Sequence, residues 1–458
     1  MVLKEILYNL PEVKHPVEKK LSFNVKLKWT TIILSAFFLL ANISLYGLKA
    51  NALARFEYIA ILLGTDFGSI ISLGIGPIVM ASIILQLLVG SGIVNIDTST
   101  KDGKKFFQGV QKLLVFGFII FEAIVYTLMG GTPANPGFEV IVIVQLMVGG
   151  LLIMFMDEVC QKWGFGSGVS LFIAAGVGWR LVTGLFGFIG PGGLAAGIQP
   201  IGAFLALFNN FFVLSDITGG MQELAKILVT AIIFLVIVWA QSLKIEIPLS
   251  YDRLRGYNIK WPLAFFYASN IPVILTGAFV ANLQLIGGLF ENWLGHPTFL
   301  GHFSNGVAVS GMSFWVGSTN LLQATIAGSF RWIYLFQSLS HILVFVVFSA
   351  IFSVFWVKTS GMDASSQAKK ILQSGLQIPG FRKDERVLEA ILSRYVMPLT
   401  IMGGIAIGIL ASVSDVLGTI TGGTALLLGI MIIYQFYQNI AQQHAMDMHP
   451  AMRKMMGS

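Results

Sequence analysis

Runs of about 20 apolar residues, separated by short polar stretches, dominate the chain, and runs of that length span a bilayer as helices. Ten spans are predicted, over residues 28–48, 74–93, 107–129, 138–157, 167–189, 224–243, 263–287, 331–357, 395–414 and 421–441. The runs lack the period-two alternation of barrel strands and are too long for them. The fold class is therefore an all-α polytopic membrane protein. A further apolar segment, Arg55–Phe67, has only about a dozen residues and is too short to cross. It is expected to be a re-entrant or surface helix leading into the second span. The apolar core Trp29–Gly47 exceeds the usual signal-peptide core of about 7–15 residues, so the first run is expected to be a retained span.

Composition supports the pattern. Of 458 residues, 55% are hydrophobic and only 11% charged, against about 25% charged in an ordinary soluble domain. The single cysteine, Cys160, excludes an intramolecular disulfide framework and a cysteine-based zinc site. The formal charge of +7 is concentrated between the spans. With the N-terminus inside, the inner segments hold 24 of the 29 Lys and Arg residues, as the positive-inside rule requires. An even number of spans then puts both termini in the cytosol. Arg180 falls within the fifth span and receives no functional account from the sequence.

Transport coupled to ions usually places ionisable groups mid-helix. Glu122, Arg180 and His341 are the few such residues here, and Asp157-Glu158 stand at an inner helix end. No phosphate-binding Gly-x-x-x-x-Gly-Lys-Ser/Thr loop is present. His296 and His302 lie six apart in an outer loop and read as solvated side chains. No Ser-His, paired-Asp or metal-ligand set occurs within the spans, so neither a catalytic nor a metal site is predicted.

The breaks in the spans are more informative. The second span of each predicted five-span half opens on a proline, at Gly74-Ile75-Gly76-Pro77 and Ser269-Asn270-Ile271-Pro272. The fifth of each opens on glycines, at Gly166-Ser167-Gly168 and Gly422-Gly423. Five spans per half makes the halves opposite in topology, and paired breaks in inverted repeats point to a functional site. The residues beside the breaks are aliphatic: Ile75 and Val79, Val169 and Ile173, Ile271 and Ile274, Leu427 and Leu428. A solute site needs convergent polar groups. Converging aliphatic side chains make a water-poor constriction instead, unless they are ordinary packed core.

Several motifs resemble SecY, the channel subunit of the protein translocon, in its archaeal form. They are Leu73-Gly74-Ile75-Gly76-Pro77-Ile78-Val79, Gln86-Leu87-Leu88-Val89-Gly90-Ser91-Gly92, the stretch Gly164–Gly176, Glu246-Ile247-Pro248-Leu249, Ala268–Leu275, Gly380-Phe381-Arg382-Lys383 and Gly422-Gly423-Thr424. They occur in order from about residue 20 to the end. The resemblance implies a clamshell of two inverted five-helix halves, over about 28–215 and 216–441, flanked by cytosolic segments 1–27 and 442–458. It implies a pore ring of Ile75, Val79, Val169, Ile173, Ile274 and Leu428, with Ile271 adjacent. It implies a plug of Glu57, Tyr58, Ile59, Ala60, Ile61, Leu62, Leu63, Gly64, Thr65, Asp66 and Phe67. Met80, Glu122 and Asn282 correspond to a lateral gate formed by the second, third, seventh and eighth spans, with Met80 where archaeal relatives carry a hydroxyl. A hydrogen bond from Glu122 would weight the closed gate.

The same resemblance implies a function: passage of secretory polypeptides across the plasma membrane of an archaeal cell, and sideways release of apolar segments into lipid. Cytosolic loops about 244–262 and 358–394 carry Arg253, Arg255, Lys260, Arg382 and Lys383, and in the family such loops dock the ribosome. Basic loops suit phosphate-rich RNA, although inner loops are basic for topological reasons as well. Implied partners are a SecE-type subunit, a small beta-type (SecG-like) subunit, the ribosome, signal sequences and nascent polypeptides, the signal recognition particle receptor and the lipid bilayer. No cofactor is implied. An inverted-repeat secondary transporter of a small solute is the competing architecture.

Overall fold

A computed structural model describes residues 10–17, 21–49, 68–90, 92–94, 96, 100–129, 132–187, 202–251, 258–268, 270–304, 307–373, 376–377 and 384–448. Among the described residues nine helices are long and apolar enough to cross a membrane, and two shorter apolar helices, Gly76–Gly90 and Ala203–Val213, accompany them. In chain order the first half is α1 (Phe23–Ala41), α2 (Gly76–Gly90), α3 (Lys101–Leu128), α4 (Glu139–Trp163) and α5 (Gly168–Phe186). A short helix α6 (Ala203–Phe208), continued by a π-helical turn over Asn209–Val213, leads to α7 (Ile217–Ser242). Then come strands β1 (Lys244–Tyr251) and β2 (Asn258–Ala264), helix α8 (Ile271–Leu294), and the hairpin β3 (His302–Ser304) and β4 (Val307–Ser310). Two single-turn helices follow, α9 (Met312–Val316) and α10 (Leu321–Ile326), then α11 (Trp332–Thr359), α12 (Ala364–Gln373), β5 (Leu376–Gln377), α13 (Glu385–Leu417) and α14 (Gly423–Met448).

Helix starts follow local chemistry. Thr100 accepts from the Gly103 amide, Asp216 from Thr218 and Asp384 from Arg386, each satisfying an amide that the helix cannot. Pro77 and Pro272 occupy the first turns of α2 and α8, where a missing N–H costs nothing.

Several span boundaries differ from the sequence reading: α3, α7 and α13 begin at Lys101, Ile217 and Glu385 rather than at 107, 224 and 395, and α4 and α14 run on to Trp163 and Met448 rather than to 157 and 441. The first helix ends at Ala41, not near 48, because Ser44 bridges Ser69 and Leu48 bridges Ala134. Residues 263 and 264 belong to β2, and the seventh span begins only at Ile271. The basic loops carry regular structure of their own: β1 pairs antiparallel with β2, from Lys244↔Ala264 to Ser250↔Asn258, and β5 adds at Ser250↔Gln377. The two basic loops thus share one sheet.

The buried interior is a large apolar cluster drawn from both halves. A second cluster joins α3 and α4 to Ala281, Leu285 and Leu289 of α8. Helix α5 packs on α14, and α1 meets α5 where the Phe37 and Phe172 rings stack at 4.6 Å.

A strap lies at the polar end of α4. Lys162 Nζ bonds Glu12, the Val13 carbonyl (2.5 Å) and Glu158 Oε1 (2.8 Å), while Trp163 Nε1 donates to the Lys14 carbonyl at 3.0 Å. The hydrogen bond from Lys162 holds the Glu12 carboxyl below its ordinary value of 4.5, against an opposing effect of partial burial. A lowered carboxylate pKa stabilises the strap above the ordinary value, and that contribution is lost as pH falls through the lowered one. Amide exchange over residues 10–17, corrected for intrinsic rates, should therefore accelerate in acid. Glu12→Gln should exchange fast at every pH, and unchanged protection in that variant would refute the strap.

Candidate functional site: an aliphatic constriction and its seam

The paired helix breaks converge. Ile75 lies in the turn before α2, with its carbonyl accepting from the Val79 amide at 3.0 Å, so both residues stack on one helical face. Val169 and Ile173 open α5, Ile271 and Ile274 open α8, and Leu428 sits in the second turn of α14. Ile75, Val79, Ile173, Ile274 and Leu428 are buried within the main apolar cluster, and Val169 and Ile271 pack against it half-buried. The four segments come from both halves. Aliphatic side chains at such a convergence give a passing chain no fixed polar partner and hold little water.

The seam beside this cluster is formed by α2 and α3 from the first half and α8 and α11 from the second. Helix α2 meets α8 and also α11, where Gly90 lies against the Phe355 ring. Across α8 and α11, the Phe279 and Phe348 rings stack at 4.7 Å, and the Thr276 and Ser349 hydroxyls stand 3.2 Å apart. Asn292 donates to the Met129 carbonyl at 2.9 Å, tying the end of α8 to the residue after α3.

The polar gate positions behave differently from expectation. Glu122 is buried against the first turn of α2, with Oε2 3.1 Å from where a Cβ on Gly76 would stand. That oxygen has no hydrogen-bond partner among the described residues. Asn282 spends its amide on the Ala278 carbonyl of its own helix at 2.8 Å. A hydrogen bond from Glu122 was expected to favour the closed seam, but an unpartnered buried oxygen costs about 1–3 kcal/mol instead. Met80 packs half-buried against the main cluster.

Glu57–Phe67, Arg253, Arg255, Arg382 and Lys383 lie outside the described residues. Lys260 is within β2, its backbone paired opposite Pro248. Of the two outer histidines, His296 is exposed as expected. His302 is not simply solvated, since its Nδ1 stands 2.5 Å from Glu291 Oε1 and Glu291 Oε2 also accepts from the Phe303 amide. Among the described residues no three His, Cys, Asp or Glu side chains group as metal ligands.

Sequence reasoning missed Asp415, Gly149 and the part played by Asp157. Asp157 and Asp415 are buried carboxylates bonded to the first turns of α5 and α14. The signal available was an acidic residue in the last two turns of one helix, followed by a glycine-led start of the next.

The sequence model of the SecY family matches residues 69–437. The protein translocase subunit SecY of Methanothermobacter thermautotrophicus is 44% identical over 457 residues, covering 98% of this chain and 97% of that one. A solved structure of a protein-conducting channel superposes with a TM-score of 0.83 at 35% identity, covering 97% of this chain and 98% of the other. Sec61 in the canine ribosome-channel complex from the endoplasmic reticulum gives a TM-score of 0.79 at 35% identity, over 97% and 98% of the two chains. The family model over residues 69–437, the full-length relative and the superposing channel structures make this chain a member of the SecY family.

Proposed function

We propose that the chain is the pore-forming subunit of a protein-conducting channel. It passes secretory polypeptides across the membrane and releases apolar segments sideways between α2–α3 and α8–α11. The observation that carries this reading is the convergence of Ile75, Val79, Val169, Ile173, Ile271, Ile274 and Leu428, from four segments of both halves, into one apolar cluster. These residues form the ring that blocks ions at rest, and Glu57–Phe67 serves as the plug. Met80, Glu122 and Asn282 line the gate. Sideways release follows from the favourable transfer of an apolar helix from the channel to lipid.

On this reading the halves divide near residue 216, both termini are cytosolic, and the membrane is an archaeal plasma membrane. The clustering of Lys and Arg in the inner segments supports that orientation. A SecE-type and a small beta-type subunit complete the assembly. The ribosome docks on Arg253, Arg255, Lys260, Arg382 and Lys383. The β1–β5 pairing supports a single docking face, because it draws both basic loops to one sheet, and the relative solved within a ribosome-channel complex supports the partner. Such contacts weaken steeply with salt.

Photocrosslinking from position 274 to a stalled, signal-bearing nascent chain on ribosomes tests the reading. A strong adduct that depends on the signal sequence is expected. Labelling of lipid or neighbouring helices alone, while a control chain engages an authentic translocon, would sink it.

A further inference from the structure

Two buried carboxylates related by the inverted repeat make the same contact at opposite ends of the bundle. Asp157, near the end of α4, accepts from the Val169 amide at 2.9 Å and from Ser167 Oγ at 3.4 Å. Asp415, near the end of α13, accepts from the Thr424 amide at 3.0 Å and also from the Thr424 hydroxyl. Both are fourth-to-fifth-span turns, five crossings apart, so they fall on opposite faces. In each case the bonded amide belongs to the second residue of the next helix. One turn further on stands a ring residue, Ile173 in α5 and Leu428 in α14.

The packing at the two turns is equally matched. A Cβ on Gly168 would stand 2.5 Å from the Asp157 Cα. A Cβ on Gly423 would overlap the Ser414 carbonyl carbon and the Asp415 amide nitrogen. Each first turn is thus pressed directly onto the backbone of the preceding helix, and only glycine permits it. The remaining carboxylate contacts brace the side chains: Gln161 Nε2 donates to Asp157 Oδ2 at 2.8 Å, and His341 Nε2 stands 3.6 Å from Asp415 Oδ2.

Helices α5 and α14 lie side by side and run antiparallel. A Cβ on Gly429 would come within 2.7 Å of Val177 Cγ1, and one on Gly184 within 2.6 Å of Ile420 Cγ2. The seam between them is therefore tight along its length and anchored at each end. A carboxylate on a helix N-terminal amide is a charge-assisted bond, further favoured by the helix dipole. It fixes both the depth of the helix and its rotational phase, and one residue of slippage would turn a side chain by about 100°.

We propose that Asp157 and Asp415 are positioning residues of the constriction, two repeat-related clamps that set the depth and phase of α5 and α14 from opposite ends. The proposal rests on the pore reading above. It assigns the α5–α14 seam to the fixed wall of the channel, leaving the α2–α8 and α2–α11 contacts as the part that opens.

The test is resting ion conductance of the full chain, purified with its bound subunits and reconstituted in planar bilayers. The variants are Asp157→Leu, Asp157→Asn, Asp415→Leu and Asp415→Asn, with the double variant Ile75→Gly/Ile274→Gly as the leak standard. Asparagine keeps the Oδ1 acceptor and should stay sealed, within about twofold of the parent. Leucine removes it and should raise conductance about tenfold or more, the shift that leaving a buried helix-start amide without its acceptor allows. Where a leucine chain does not accumulate, Asp→Ser, too short to reach the amide, replaces it. If the leak standard conducts while the leucine and serine channels stay tight, the clamps are refuted and the constriction stands. If asparagine leaks as much as leucine, charge and not the amide contact matters, and the proposal is overturned. If the leak standard itself stays tight, the pore reading fails and the clamps fall with it.

Discussion

Replacing Ile75 and Ile274 together by glycine is expected to make the resting channel conduct ions continuously. The two side chains come from opposite halves, are 1% and 6% exposed, and share one apolar cluster. Removing both deletes eight carbon atoms from the narrowest predicted point. An intact aliphatic ring excludes ions because an ion would shed its water with nothing to replace it, and widening the ring lets the hydrated ion through. The chain should still insert, because most of the cluster remains, although cavity formation costs about 2–5 kcal/mol for each large aliphatic truncation to alanine. The volume-conserving Ile274→Leu should stay sealed, since such swaps usually cost under about 1.5 kcal/mol and refill the space. Planar-bilayer recordings without a translocating substrate decide the matter. A glycine double variant as tight as the parent would show that these residues are core and not constriction.

Much of this arrangement is legible in the chain. Hydropathy finds the nine long spans and the shorter Gly76–Gly90 helix because every backbone group in a bilayer must be satisfied within its own helix. The aliphatic residues that meet in the main cluster are legible for a different reason: Pro77 and Pro272 mark where helices must begin, and the aliphatic residues beside them can then be placed on one face. What fails is the distinction between apolar stretches of different geometry. Ser44–Leu48 is as apolar as a helix end but makes bridges to Ser69 and Ala134. Trp261–Ala264 is as apolar as a helix start but pairs as a strand with Lys244–Ile247. Hydropathy averaged over a window carries no information about hydrogen-bond partners across 20 or 90 residues.

Polar residues inside the bundle were misjudged in the opposite direction. Glu122 stands out in sequence as a charge within a span, and a hydrogen bond was expected for it, yet Oε2 has no partner among the described residues. Asp157 and Asp415 look like helix-end charges of no consequence, yet each holds the start of the next span. Whether a buried carboxylate has a partner depends on which backbone amide a tertiary turn presents, and spacing alone does not encode that. The opening glycines Gly168 and Gly423 carry the missing signal, because a helix start that tolerates no Cβ must be pressed against something.

The same reasoning gives the largest expected loss of stability. Gly149→Ala should destabilise the fold by about 3 kcal/mol or more, at the upper end of overpacking effects. A Cβ at 149 would overlap the Ile70 carbonyl oxygen, a backbone atom that no rotamer change can move away. Nor is the segment around Ile70 free to retreat. The Ile70 amide bonds the Ile43 carbonyl at 2.9 Å, the Leu45 amide bonds the Gly68 carbonyl at 2.8 Å, and Ser72 Oγ accepts from the Gly68 amide at 2.7 Å. Helix α4 is held as firmly, between α1, α3 and α5. Two neighbours calibrate the effect. Gly150→Ala meets side chains and no backbone, Ile119 at 3.0 Å and Leu73 at 3.3 Å, which can shift, so its cost should be about 1 kcal/mol. Gly117→Ala meets nothing within 4 Å and should be neutral or stabilising, as alanine is the better helix former. Thermal unfolding of the three variants in detergent should rank them in that order, and a Gly149→Ala chain as stable as Gly117→Ala would refute the close approach. The displacement would also reach function. Residues 68–75 lead directly into Ile75 and α2, so any surviving Gly149→Ala channel should leak at rest even though the substituted residue lines no pore.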